Sequence, residues 1–268
     1  MKTRVLSAIV MILIAFPLLI IGGEAFSVFM ALLAVLGLYE LIHIRESVRK
    51  FPFLIKVFAY LLVIFMAMNN FDSIEFVCSF DYRVMSFVIF AFLASMIFIK
   101  DREKYNSSDA LFLIGSVLFV GLSFNLMIIT RNYDIKYVIY LLLITTMTDS
   151  FALFTGMFIG KNKLASTISP NKTIEGFVGG ALMGTFIATS FYVTVINQNC
   201  SLVLVIFITL FLSCIGQLGD LVFSSIKREY GMKDFSNLIP GHGGIMDRFD
   251  SMIITAPIIF YLAKYLLG

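Results

Sequence analysis

The sequence predicts an all-α membrane protein, a polytopic transmembrane helical bundle. Hydrophobic residues make up 60% of the 268-residue chain and charged residues only 14%, whereas soluble domains carry about 25% charged residues. Nine mainly apolar runs also approach the roughly 20 residues that a helix needs to cross a bilayer. Because these runs occupy most of the chain, the sequence leaves no room for a separate soluble domain.

The predicted spans follow one another with short polar connections. The first, after Lys2 and Arg4, has the charge of a signal peptide but no small-x-small cleavage site, so we expect a retained helix. The nine spans cover residues 5–21, 25–42, 53–68, 84–99, 111–130, 137–159, 174–196, 202–222 and 252–267.

The spans divide into two groups by the chemistry that they carry. We expect five N-terminal membrane helices in residues 1–136 and a C-terminal catalytic membrane domain of four spans in residues 137–268. The second group has polar loops at 160–173 and 223–251, and both groups are expected to form one integrated membrane unit.

Basic residues predict the orientation. With nine crossings, the N-terminal side holds sixteen of the 20 Lys and Arg residues, and the other side holds four, namely Arg83, Arg131, Lys136 and Lys264. Basic residues are enriched on the cytoplasmic side of membrane proteins. We therefore expect a cytoplasmic N-terminus, an external C-terminus and, from the size of the chain, a bacterial inner (plasma) membrane.

The longest polar interruption, at residues 224–250, directly follows Asp220 and combines three kinds of group. Its glycines, at Pro240-Gly241-His242-Gly243-Gly244, permit close approach of backbone N–H groups to an anion. Acids that can ligate a hard divalent cation are Asp220, Asp247 and Asp250. Bases that can hold phosphates are Lys227, Arg228, Lys233 and Arg248. The combination favours phosphoryl or nucleotidyl transfer over a solvated loop with incidental ion pairs.

The sixth span contains a carboxylate, Asp149, about 18 Å along the helix axis. Burying it in lipid would cost about 2.5–3.5 kcal/mol. Such a residue is expected to face a polar cavity or a partner. It is therefore a candidate functional residue, and the alternative is a hydrogen-bonded packing acid.

The loop before the seventh span carries a helix-start pattern. Ser169 is expected to be the N-cap and Pro170 the first helical residue. The helix N–H groups would then lie beside Lys172 and Thr173 at the cytoplasmic surface. A helix N-terminus with a lysine is a plausible anion site.

Glycines recur four apart in the sixth and seventh spans, at Gly156, Gly160, Gly176, Gly180 and Gly184. Small residues at this spacing let helices approach closely. They are expected either to pack the last spans together or to form an oligomer seam, such as that of a homodimer.

The first five spans show little chemistry. Glu40 and His43 lie beside Arg45 at the cytoplasmic end of the second span. An interfacial ion pair and a surface histidine are expected there, not ligands. The polar residues after 145, by contrast, converge on the cytoplasmic half, where nucleotides are found.

The polar stretch resembles the signature of the phosphatidate cytidylyltransferases (CDP-diacylglycerol synthases). A second block of the family pattern begins at Asp149. The matching residues of the signature are Ser224 or Ser225, Lys227-Arg228, Lys233-Asp234, Ser236, Pro240, His242-Gly243-Gly244 and Asp247-Arg248-Phe249-Asp250. Those of the second block are Asp149, Gly156, Gly160-Lys161, Ile168-Ser169-Pro170, Lys172-Thr173 and Glu175-Gly176.

The resemblance implies transfer of CMP from CTP to phosphatidate, giving CDP-diacylglycerol and pyrophosphate. It also implies a divalent cation, usually magnesium, with potassium beside it. Asp220 and Asp247 would be the metal carboxylates.

The chemistry of that reaction suggests the remaining roles. Bases that would neutralise the triphosphate and the pyrophosphate are Lys227, Arg228 and Arg248. Ser169, Lys172 and Thr173 would bind one of the two substrate phosphates, and His242 with Gly243-Gly244 would shape the turn. Asp250 would orient Arg248 or a metal-bound water, and Asp149 would fix a lysine or a water in the pocket. Lys233 is a further expected substrate-binding residue.

Two rival functions remain open at this point. A CTP-dependent polyprenol (dolichol-like) kinase would transfer the γ-phosphoryl group instead. A transporter would use Asp149 and Asp220 to couple ions. The expected partners are CTP, phosphatidate and the lipid bilayer, without nucleic acid.

Overall fold

The computed structural model describes residues 2–69, 82–99, 101–197 and 200–267. Lys100, one of the bases counted for the orientation, lies outside these ranges. Nine α-helices run through the described residues: α1 (Lys2–Ile21), α2 (Gly23–Glu46), α3 (Phe53–Met68), α4 (Tyr82–Phe98), α5 (Ser107–Tyr133), α6 (Ile135–Ile159), α7 (Ile174–Phe191), α8 (Leu202–Glu229) and α9 (Met246–Leu267). Strands β1 (Lys163–Ala165) and β2 (Ser169–Thr173) lie between α6 and α7, and a π-helical turn (Tyr192–Ile196) continues α7.

Five of these helical segments are long and apolar enough to cross a membrane. They are α2, α5, α6, α8 and the continuous segment Ile174–Ile196. Three shorter apolar helices are Val5–Ile21, Phe53–Met68 and Arg83–Phe98. The prediction of an all-α membrane protein is confirmed, while the count of nine spans and the orientation stay predictions.

The chain divides into two compact units. The first comprises Met1–Tyr133 and Asp234–Arg248, and the second comprises Asp134–Lys233 and Phe249–Gly268. The first boundary lies near the division expected at residue 136. The second places part of the polar stretch with the N-terminal helices. Helix α9 begins in the first unit and continues in the second.

The first unit is built on α2, α3 and α5, with α4 against α5 and α1 against α2. Apolar side chains from the three central helices form its core, including Leu38, Val63 and Phe124, all fully buried. Arg131 closes the end of α1 by donating to the carbonyls of Leu19 and Ile20, at 2.7 and 2.6 Å. These carbonyls lack partners within the helix, so the arginine satisfies them.

In the second unit, α6 and α7 pack closely through their glycines. A Cβ at Gly180 would lie 2.6 Å from the Thr148 carbonyl oxygen, and one at Gly184 would lie 3.0 Å from Thr148 Cα. Gly176 similarly faces Ala152 and Gly156. The glycine pattern is therefore explained by packing within the chain, and a homodimer stays a prediction.

The loop before α7 differs from the expectation. Residues 163–165 and 169–173 form an antiparallel hairpin, in which Lys163 pairs with Thr173. The predicted N-cap at Ser169 is therefore wrong, because Ser169 and Pro170 belong to β2. Thr173 caps α7 instead, and its hydroxyl accepts a hydrogen bond from the Gly176 N–H at 3.0 Å.

Candidate active site

A lysine and a carboxylate meet at the centre of the polar region of the second unit. Lys172 Nζ lies 2.6 Å from Asp220 Oδ2, and each side chain is 27% exposed. The lysine also approaches the Gln217 carbonyl oxygen at 3.4 Å. Asp220 Oδ1 accepts a hydrogen bond from Ser224 Oγ at 3.2 Å. Strand β2 and helix α8 thus hold an acid and a base that remain accessible to a ligand.

Further charged groups surround this pair. Asp149 lies within electrostatic range of Asp220 and Lys172. Asp250 lies within range of Asp220 and Asp149, and also of the buried Lys227. Three carboxylates and two lysines therefore converge from α6, β2, α8 and α9. Like charges at close range repel, so this arrangement would be stabilised by a bound cation.

A polar seam extends from this cluster between α6 and α8. Thr148 Oγ1 lies 2.6 Å from Ser213 Oγ, and Tyr140 Oη lies 2.6 Å from Thr209 Oγ1. Gln217 donates to the Phe177 carbonyl at 3.1 Å. The hydroxyl groups satisfy one another inside apolar helices, where an unpaired polar group would be costly. Asp149 lines a narrow cleft along this seam.

The other predicted residues of the second unit have varied surroundings. Arg228 ties the hairpin turn to the end of α8 by donating to the carbonyls of Ile168 and Met232, at 3.1 and 3.0 Å. Lys233 is exposed, and Ser169 is half-buried in β2. Thr173 is buried and caps α7, so its hydroxyl supports the fold.

In the first unit, Asp247 organises the glycine turn. Its Oδ2 atom accepts hydrogen bonds from the backbone N–H groups of Phe235 and Gly244, both at 2.9 Å. Gly243 has φ +80°, which L side chains rarely adopt, and its carbonyl accepts a hydrogen bond from the Ile239 N–H at 2.9 Å. The positive φ of Gly243 suits a glycine at this point of the turn, and the predicted roles of His242 and Gly244 in the site stay predictions.

The histidine of the turn contacts the first helix. His242 Nδ1 lies 2.8 Å from Ser7 Oγ, and the same hydroxyl donates to the Pro240 carbonyl at 3.0 Å. Arg248, on the first turn of α9, is exposed. The turn therefore presents a base while its backbone is anchored to α1.

A residue assigned no chemistry from the sequence also contacts this turn. Glu40 on α2 is fully buried and accepts hydrogen bonds from Ser236 Oγ and from the Ile245 and Met246 N–H groups. The expected interfacial ion pair is wrong, because Arg45 pairs with Asp109 instead, at 2.8 Å. His43 is exposed, as expected. Asp149 was selected from the sequence because it is a carboxylate inside an apolar run. The same criterion would have identified Glu40 as a candidate functional residue.

The surroundings of Asp220 fit a hard cation with few protein ligands. Among the described residues, no group of three or more His, Cys, Asp or Glu side chains has a metal-binding arrangement. Magnesium, however, commonly takes only one or two carboxylates and completes its shell with water and substrate phosphates. Asp220 and Asp250, close enough to repel each other, provide suitable oxygens. The pairing of Asp220 with Asp247 on one metal stays a prediction.

Comparisons with known proteins identify the family of the chain. A sequence model of the Cytidylyltransferase family matches residues 2–266. The chain belongs to the cytidylyltransferase family. The likeness therefore covers the N-terminal helices as well as the C-terminal half that carries the signature.

Individual members of the cytidylyltransferase family are similar to this chain over almost their full length. The chain is 35% identical to a phosphatidate cytidylyltransferase of Staphylococcus haemolyticus over 260 residues, which cover 97% of each chain. It is 36% identical to one of Staphylococcus epidermidis over 260 residues and 35% identical to one of Staphylococcus aureus over 262 residues, again with 97% of each chain covered.

Proposed function

We propose that this chain is a phosphatidate cytidylyltransferase, which transfers CMP from CTP to phosphatidate and releases pyrophosphate. The observation that carries the proposal is the likeness to enzymes of that name over 97% of both chains. The charge cluster around Lys172 and Asp220 supports it, because the reaction brings two polyanions together.

The reaction needs positioning and charge neutralisation more than proton transfer. A phosphate oxygen of phosphatidate attacks the α-phosphorus of CTP, and the bond from that phosphorus to the oxygen bridging to the β-phosphorus breaks. The attacking phosphate is already ionised, so a general base is not essential. Lys172 and Lys227 would reduce the repulsion between substrates, and preorganised charges of this kind contribute much of such catalysis.

Magnesium would be held near Asp220, with potassium as a second ion. When bound, a divalent cation supplies charge stabilisation for the triphosphate and its leaving group. Asp220 would hold this cation, and neighbouring side chains orient the two oxygens of its carboxylate. The Lys172 ammonium fixes one oxygen of Asp220, and Ser224 donates to the other.

The lipid substrate explains why the proposed active site lies among membrane helices. The acyl chains of phosphatidate can remain in lipid while its headgroup enters a polar notch. We infer that the chain lies in a bacterial inner membrane with its N-terminus and active site cytoplasmic, as the distribution of basic residues favours. Labelling of single cysteines from either side of sealed vesicles tests this orientation.

The decisive experiment uses purified protein with CTP labelled at the α-phosphorus, phosphatidate and Mg²⁺. We expect the label to appear in the lipid fraction as CDP-diacylglycerol, with release of unlabelled pyrophosphate. Label that remained in CDP would indicate γ-phosphoryl transfer to lipid and contradict the proposal. Omission of phosphatidate is the matched control, and it should leave the label in CTP.

A further inference from the structure

The turn that carries the family signature is anchored by a carboxylate from a helix far away in sequence. Glu40 Oε1 accepts a hydrogen bond from Ser236 Oγ at 2.7 Å and one from the Ile245 N–H at 2.8 Å. Glu40 Oε2 accepts one from the Met246 N–H at 2.8 Å. Both carboxylate oxygens are therefore engaged with residues of the turn.

These bonds satisfy the start of α9. The first N–H groups of a helix have no partner within the helix, and a negative charge there is also favoured by the helix dipole. Glu40 on α2 accepts from the Ile245 N–H, just before α9, and from the Met246 N–H, the first of the helix. Asp247, within α9, accepts from the Gly244 N–H in the turn before the helix.

The approach of Glu40 depends on a glycine. A Cβ at Gly244 would collide with the Glu40 carboxyl group. A side chain at this position would push the carboxylate away from the two amides. The glycine of the signature therefore has a function besides turn flexibility, since it admits the carboxylate of another helix.

We propose that Glu40 is a positioning residue for the cytidylyl transfer, which fixes the turn 236–246 and thereby the orientation of Asp247 and Arg248. The inference rests on the proposed function. Its physical basis is that a buried hydrogen-bonding group left without its partner is costly. A buried carboxylate accepting three such bonds selects one conformation of the turn.

Glu40→Gln tests the proposal because the amide keeps the size but can no longer accept at both positions. We expect kcat to fall by at least about tenfold, in the range seen when a group that orients a ligand is removed. KM for CTP should change by less than about threefold, because a variant can lose turnover without losing substrate binding. The matched control is Glu24→Gln, an exposed carboxylate on the same helix, which should leave turnover unchanged.

Hydrogen exchange distinguishes positioning from general stability. In Glu40→Gln, peptides covering 234–248 should exchange faster, while peptides of α3 and α5 should keep the wild-type rates. Equal acceleration across the first unit, or kcat within about twofold of wild type, would overturn the proposal.

A milder variant covers the case in which Glu40→Gln does not fold. Ser236→Ala removes one of the three bonds and leaves the two amide bonds in place. We expect faster exchange confined to 234–248, with a smaller loss of kcat. Wild-type exchange in this segment would overturn the proposal. If the wild-type protein transferred no label to lipid, the proposed function would fail while the exchange experiment still decided the role of Glu40 in holding the turn.

Discussion

Lys172 Nζ contacts Asp220 Oδ2 at 2.6 Å, which joins the β-hairpin to helix α8. Both side chains are partly exposed, and a pair of this kind contributes little to stability because solvent screens it. Under the proposed function, we therefore expect the pair to contribute to the reaction and not to stability. The lysine would orient an acid suited to a cation and could still contact an anionic substrate.

The first prediction concerns Asp220. Asp220→Asn should lower lipid labelling by at least about a hundredfold, the loss typical of removing one preorganised electrostatic group. The protein should remain folded, because the carboxylate is partly exposed. The measurement is initial rate against Mg²⁺ concentration, with thermal unfolding in detergent as a check. Glu229→Gln, at the exposed end of the same helix, is the control, and near-wild-type turnover of Asp220→Asn would remove the residue from the site.

The second prediction compares two lysines of one hairpin. Lys172→Ala should reduce turnover by roughly 10- to 100-fold, as for groups that orient a ligand, because Asp220 loses its cation. Lys163→Ala should have a much smaller effect, since Lys163 is exposed on β1. Both rates are measured at saturating CTP and phosphatidate. The reverse order would show that the anion site lies at the other end of the hairpin.

The third prediction concerns the packing of α6 on α7. Gly184→Ala should destabilise the protein by about 1–3 kcal/mol, the usual cost of overpacking, because its methyl group would collide with Thr148. Gly115→Ala is the control, since a Cβ there has nothing within 4 Å and alanine favours a helix by about 0.5–1 kcal/mol. Thermal unfolding in detergent should therefore shift in opposite directions. An unchanged melting temperature for Gly184→Ala would contradict the close packing.

The fourth prediction concerns a buried ion cluster in the first unit. Asp109 is fully buried and pairs with Arg45 and Arg49, at 2.8 and 3.1 Å. It also forms a reciprocal capping box with Asn106 at the start of α5. Asp109→Asn should lower the free energy of unfolding by roughly 3 kcal/mol, because a desolvated arginine loses its partner.

An exposed aspartate nearby provides the control for that measurement. Asp101 pairs with Lys104 at the surface, where 73% of the lysine side chain and 45% of the aspartate side chain are accessible. Asp101→Asn should leave the free energy of unfolding unchanged. Equal shifts for the two variants would mean that burial of Asp109 does not determine its contribution.

Local sequence determined the helices and the family. Hydropathy over about 20 residues depends only on neighbours along the chain, and runs such as 53–68 and 174–196 match the helical bounds closely. The signature at 224–250 indicated the chemistry because acidic and basic side chains are residue types that can bind metal ions and phosphates. The glycine spacing in α7 predicted close helix packing for the same reason, since a missing Cβ is a local property.

Tertiary structure determined which side chains and backbone groups contact one another. The N-cap of α7 is Thr173 and not Ser169, because pairing of β1 with β2 outweighs the local preference of a Ser-Pro pair for a helix start. Glu40 contacts Met246 across 206 positions of sequence, and no local pattern specifies such a contact. The type of each residue determines its charge and its capacity for hydrogen bonds. Which partner it pairs with depends on which helices pack together.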